Sequence, residues 1–204
     1  MTRMDDQAVP LVPPVAGTGK PLFILDARHS VEERYLREWL RGRGSTDACD
    51  CVVLPISAEG RALSLEQLDS MLAADADTPV VPVRVAWRVP HLERDHGLRL
   101  RDLLLGDPRH PGRVRAALVL LRDRQRAHCL VGAPATIGEL KQRFAGQVAG
   151  IEHEERHAFA RFVAREAAVT LDIEERGIQG SRYKVPRFVA ETILASREFR
   201  PALE

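Results

Sequence analysis

Leu22–Leu40, LFILDARHSVEERYLREWL, sets the pattern for most of the chain. Leu22–Leu25 is a short apolar run of strand length, and Asp26–Ser30 follows as a turn. Ser30 and Glu33 have the spacing of a capping box, in which hydroxyl and carboxylate each satisfy a backbone N–H at a helix start. Val31, Tyr35, Leu36, Trp39 and Leu40 then recur at three- and four-residue steps, one face of an amphipathic helix. Gly42 and Gly44 stop it. The cycle repeats with a strand over Cys51–Ile56, a second box at Ser64 and Gln67, and an apolar face of Leu65, Leu68, Met71 and Leu72. Val80–Trp87 is the third strand. Pro82 within it lacks a donor for the ladder, which points to an edge, a bulge or the first residues of the strand.

Beyond Val89 the rhythm breaks. Val89–Gly112 is charged, rich in turn residues and long, the signature of a functional or disordered loop. Val114–Leu121 is apolar, and its periodicity does not separate helix from strand. His128–Val131 reads as a strand. Thr136 and Glu139 form a third capping box ahead of Ile137, Leu140 and Phe144. Capped helices alternating with short strands predict an α/β fold with a mainly parallel sheet and flanking helices, followed by a helical C-terminal segment. In that segment Phe159, Phe162, Val163 and Val169 mark one helix and Val185, Phe188, Val189, Ile193 and Leu194 a second. Gly180 suits the end of the first, and Pro186 the first turn of the second. The expected organisation is a flexible leader over 1–20, an α/β domain over 21–145 and a helical segment over 151–204.

The 204 residues carry a formal charge of +1 with both signs abundant, so no global field draws the chain to nucleic acid. Cys49, Cys51 and Cys129 are an odd number without a small secreted scaffold, which predicts reduced thiols in the cytosol. No apolar run approaches the roughly 20 residues that span a bilayer. The N-terminus, with Asp5 and Asp6, does not read as a secretory signal.

Three patterns suggest chemistry. His153-Glu-Glu-Arg-His157 fits H-E-x-x-H, which on a helix places two histidines around one zinc beside a glutamate base. On a continuous helix the two histidines would lie opposite Phe159, on a charged face, and nothing selects Glu174 or Glu191 as a third ligand. A solvated face is the favoured reading. Gly17-Thr-Gly-Lys20 resembles the end of a phosphate loop, but Pro14 stands where its first glycine belongs and Pro21 where Ser or Thr should follow. Arg182, Lys184 and Arg187 beside a helix start could hold a phosphate; a charged linker pairing with Glu174, Glu175 and Glu191 explains them as well. Arg84 within the third strand and Arg88 and Arg94 after it lie toward the strand's carboxyl end, the side on which parallel sheets usually bind ligands. No nucleophile or base stands out beside them.

Two longer stretches carry a family resemblance. TPVVPVRVAWRVP (78–90) followed by RLRDLLLGDPRHPG (99–112), and LDIEERGIQGSRYKVPRFVAETIL (171–194) followed by SREFRPAL (196–203), resemble bacterial glycerol-3-phosphate acyltransferases of the actinobacterial type, in the region before their catalytic domain. The resemblance implies a chain concerned with acyl transfer to the sn-1 hydroxyl of glycerol 3-phosphate, the first step of phospholipid synthesis, acting peripherally at the cytoplasmic face of the cell membrane. That family uses His-x-x-x-x-Asp, with the histidine as base and the aspartate orienting it. Five residues after His29, His91, His96, His110, His128, His153 and His157 stand Arg34, His96, Arg101, Arg115, Ala133, Ala158 and Phe162, so the motif is absent. The family's Gly-x-Arg-Ser phosphate element is absent too; Gly180-Ser-Arg182 does not reproduce it. No catalytic, substrate-binding or metal residue is therefore assigned within 1–204, and no cofactor is expected. The expected role is scaffolding or membrane docking, with a catalytic domain of the same enzyme, beyond Glu204, as partner. A standalone interaction module and a zinc hydrolase built on His153 and His157 are the alternatives.

Overall fold

The structure is a computed structural model that describes residues 20–43, 50–58, 63–88, 110–148 and 157–179. It has the expected α/β architecture, a mixed sheet between two layers of helices. In chain order the elements are β1 (Leu22–Asp26), α1 (Ser30–Gly42), β2 (Asp50–Val53), α2 (Glu66–Met71) and β3 (Pro79–Trp87). Then come α3 (Arg113–Arg122), a 3-10 turn at Arg124–Arg126, β4 (Ala127–Val131), β5 (Ala135–Thr136), α4 (Ile137–Val148) and α5 (Ala158–Gln179). The sheet order is β2-β1-β3-β4, with β5 also pairing with β3. β1 is parallel to both β2 and β3, and β4 and β5 run antiparallel to β3.

Side chains alternate across a strand, and the two faces of this sheet build separate cores. Phe23, Leu25, Val81, Val83, Val85 and Trp87 meet Leu36 and Leu40 of α1 and Ala116 of α3. Leu22, Ile24, Val52 and Val80 meet Leu68 of α2, Ile137 and Leu140 of α4, and Ala160, Val163 and Ala167 of α5. Phe144, Phe159 and Phe162 cluster between α4 and α5, with centroids 5.4–6.5 Å apart. The first helix of the C-terminal segment thus completes a layer of the α/β core. Val114–Leu121 falls on a helix, resolving the ambiguity of its pattern. Val169, one of the apolar residues that mark α5 in the sequence, is 47% exposed. α5 ends at Gln179, next to Gly180. The leader, most of the long loop and the second C-terminal helix fall on residues outside those described.

The capping boxes fared unevenly. Thr136 and Glu139 form one: Glu139 N donates to Thr136 Oγ1 at 3.2 Å and Thr136 N to Glu139 Oε2 at 3.0 Å. At α1 the box is shifted by one residue, because the His29 ring is the acceptor. Glu32 N donates to its Nδ1 at 3.4 Å and Arg28 N to Glu32 Oε2 at 2.8 Å. The helix α2 is capped at Leu65 without a side-chain bond, so Ser64 and Gln67 form no box.

Pro82 is the clearest departure. It lies fourth in a nine-residue strand that is buried throughout and paired on both sides, not at an edge. Its carbonyl accepts from Gly132 N at 2.9 Å. In an extended strand a residue's N and O face the same way, so the missing N–H points into the gap between β4 and β5, where no ladder partner is lost. Gly132 fits that gap because it lacks a side chain. A Cβ there would stand 2.6 Å from Thr170 Oγ1 and 2.8 Å from Pro82 Cγ.

Candidate functional site

The carboxyl ends of β1, β2 and β3 come together, as expected of a parallel sheet, and polar side chains collect there. Period-two alternation puts Val80, Pro82, Arg84 and Ala86 on the α5 side of β3. Arg84 is the one charge in a strand that otherwise reads apolar, and it is 4% exposed. Asp26 is its register partner on β1. Arg84 Nε donates to Asp26 Oδ2 at 2.6 Å, and Nη1 donates to Asp172 Oδ1 at 2.7 Å and Glu175 Oε2 at 3.0 Å, both on α5. The other Asp26 oxygen accepts from Ser57 N at 3.0 Å and Ser57 Oγ at 3.1 Å, in the turn after β2. Arg28 Nε donates to Ser57 Oγ at 3.0 Å.

Burial opposes the Arg84 charge, but the field of Asp26 and the bond and charge of Asp172 and Glu175 more than offset it, raising the guanidinium pKa above its usual value. Arg84 is therefore always a cation. An activated serine needs a base free to take its proton. Asp26 instead has its charge balanced by Arg84 and both oxygens engaged. The cluster clamps the ends of three strands to α5.

A second buried network lies beside it on the opposite face. Glu32, 2% exposed, accepts from Trp87 Nε1 at 2.9 Å through Oε1. His29 Nε2 stands 3.2 Å from Pro111 O and 3.8 Å from Glu32 Oε1. Since Nδ1 accepts from Glu32 N, the proton sits on Nε2 and is donated to Pro111 O. Both ring nitrogens are engaged, and the ring ties the approach to α3 onto the start of α1.

The fold also creates an imidazole–carboxylate couple that no local motif encodes: His157 Nδ1 lies 3.0 Å from Asp69 Oδ2 of α2. Their side chains are 24% and 43% exposed. His157 precedes α5, with φ 63, and its carbonyl accepts from Arg161 N. His157 lies one residue before α5, and His153 lies outside the described residues. Among the described residues no group of three or more His, Cys, Asp or Glu could hold a metal ion. A cavity bounded by Pro82, Ala133, Leu140, Val163, Ala167 and Thr170 holds about 30 Å³, room for about one water, and borders neither imidazole couple.

Of the arginines marked from sequence, Arg84 enters the clamp. The Arg88 carbonyl accepts from Arg126 Nε at 3.0 Å. Arg94, Arg182, Lys184, Arg187, Glu191 and Gly17–Gly19 lie outside the described residues. Lys20 pairs with Asp50 at 3.1 Å. Burial pushes the Cys129 thiol up to about 12, so it stays protonated and inert. Sequence reading missed Asp26 and Ser57. The available signal was a lone arginine in a valine-rich strand, which must find a buried acid on a neighbour. No helix among the described residues is long and apolar enough to cross a membrane. The chain matches no family model and no solved structure.

Proposed function

We propose that this chain is the platform region of a glycerol-3-phosphate acyltransferase. In this reading it supports a catalytic domain at the cytoplasmic face of the membrane, as a peripheral body, and performs no acyl transfer itself. The observation that carries the reading is the Asp26–Arg84 clamp. At the strand ends, where an α/β enzyme holds its reacting groups, Arg84, Asp26, Asp172 and Glu175 are bonded to one another. Their arrangement serves to fix α5 on the sheet. Three members of this clamp fall in the two stretches that resemble the family, Arg84 in 78–90 and Asp172 and Glu175 in 171–194, while Asp26 lies outside both.

The rival reading with a specific observation behind it is chemistry at the Asp69–His157 couple, whose Nδ1-to-carboxylate orientation leaves Nε2 toward other groups. A catalytic base needs a site that positions the hydroxyl it deprotonates, and this couple stands at the surface. Purified chain supplied with glycerol 3-phosphate and an acyl donor distinguishes the two. The platform reading expects no turnover above background; turnover abolished by His157→Ala would replace it. An in-frame His-x-x-x-x-Asp downstream of Glu204 in the gene would support the family assignment. A frame without one would favour an interaction module instead.

A further inference from the structure

Helix α3 is apolar on two opposite sides. Ala116, Val119 and Leu120 face the core with α1. Val114, Leu118 and Leu121 are 78%, 41% and 84% exposed. At 3.6 residues per turn those three fall within about 60° of one another and point directly away from the core. Arg113 and Arg122 flank this outer stripe at its two ends, and both are exposed. From Arg113 to Arg126 there are five arginines and a single acid, Asp123, in a chain whose total formal charge is only +1. Basic residues thus outnumber acids around an exposed apolar helix face.

From this we propose that the outer face of α3 docks on an anionic lipid surface. The three apolar side chains would enter the boundary between headgroups and acyl chains while the flanking arginines meet lipid phosphates, the arrangement of an interfacial amphipathic helix. Nucleic acid offers phosphates but no apolar depth for Val114, Leu118 and Leu121. A second copy of this chain would bring the same arginines face to face. An anionic bilayer satisfies both parts of the surface. The inference deepens the peripheral-membrane part of the function proposed above and rests on it there alone. Vesicle binding is measured without substrate, so it can fail while the acyltransferase assignment stands, and the reverse.

The test is co-sedimentation of the full chain with vesicles of phosphatidylglycerol and phosphatidylcholine in equal parts, and with phosphatidylcholine alone. The chain is expected to pellet with the anionic vesicles and to be released by high salt. Because Val114 and Leu121 are largely exposed, Val114→Ser/Leu121→Ser leaves the core intact. It is expected to weaken binding roughly tenfold or more at an unchanged melting temperature. Arg113→Gln/Arg122→Gln should weaken binding to anionic vesicles without affecting the neutral ones. Wild-type chain remaining in the supernatant, or the apolar variant pelleting like wild type, overturns the proposal. So does a wild-type dimer, seen by analytical ultracentrifugation, that the same variant dissociates while no vesicles are bound.

Discussion

Replacing Arg84 by methionine removes the charge from the clamp while keeping a long, unbranched chain in the same space. The Asp26 side chain is 0% exposed and that of Arg84 5%, so water cannot take over when the guanidinium goes. Removing one member of such a buried pair costs about 3–5 kcal/mol. Asp172 and Glu175 lose the same partner, but their side chains are 33% and 19% exposed and can rehydrate, so they add little. Ser57 still donates twice to Asp26, which keeps the loss within that range. With a urea slope of about 2 kcal/mol per molar, the unfolding midpoint should fall by about 1.5–2.5 M. Circular dichroism at neutral pH measures it. Asp26→Asn in the same chain keeps an acceptor for Ser57 and discharges the orphan carboxylate. The double variant should then recover much of the loss, with a coupling of about 2–3 kcal/mol. A fall below about 1 kcal/mol for Arg84→Met would refute the clamp as a structural tie.

Other sites give smaller and more local effects. Burial and the charge of Arg88 hold the His128 pKa below its usual value, against a backbone bond involving Gln125 that raises it. The unfolded chain therefore binds more protons there, and stability should fall as pH drops through about 6.5 toward the lower folded value. His128→Gln should flatten that part of the melting-temperature profile. Thr136→Ala and Glu139→Ala should each cost about 1 kcal/mol in chemical unfolding, and together less than the sum, because their bonds are reciprocal. Gly132→Ala should cost about 1–3 kcal/mol in the same assay, since its methyl meets Thr170 and Pro82; an unchanged midpoint would mean the β4–β5 connection yields freely.

What the sequence made legible was the repeating unit. Leu22–Leu25 and the face of Val31, Tyr35, Leu36, Trp39 and Leu40 are local patterns, and both pack as their periods require. Local rules failed where the answer depended on a distant neighbour. Pro82 reads as a residue of an edge, a bulge or a strand start because the rule registers a missing N–H but not the side it faces; the gap between β4 and β5 decides that. The box at α1 moved by one residue because Glu32 is also recruited by Trp87, 55 positions away. His157 finds its carboxylate partner in Asp69, 88 positions away. Asp26 and Arg84 are 58 positions apart, and only the parallel register of β1 and β3 makes them partners. A charge inside an apolar strand announces that such a partner exists without naming it.

Glycerol 3-phosphate offers the sharpest test of whether the strand-end cluster holds the fold together or holds a substrate. A ligand present at about 100 times its dissociation constant stabilises the protein it binds by about 2.7 kcal/mol. The urea midpoints of wild type and Arg84→Met would be measured with and without millimolar glycerol 3-phosphate. The account predicts that the wild-type midpoint does not move with ligand, and that the variant is destabilised by the same amount in both conditions. A wild-type midpoint raised by the ligand, with the rise lost in Arg84→Met, would place the phosphate on Arg84 and contradict it.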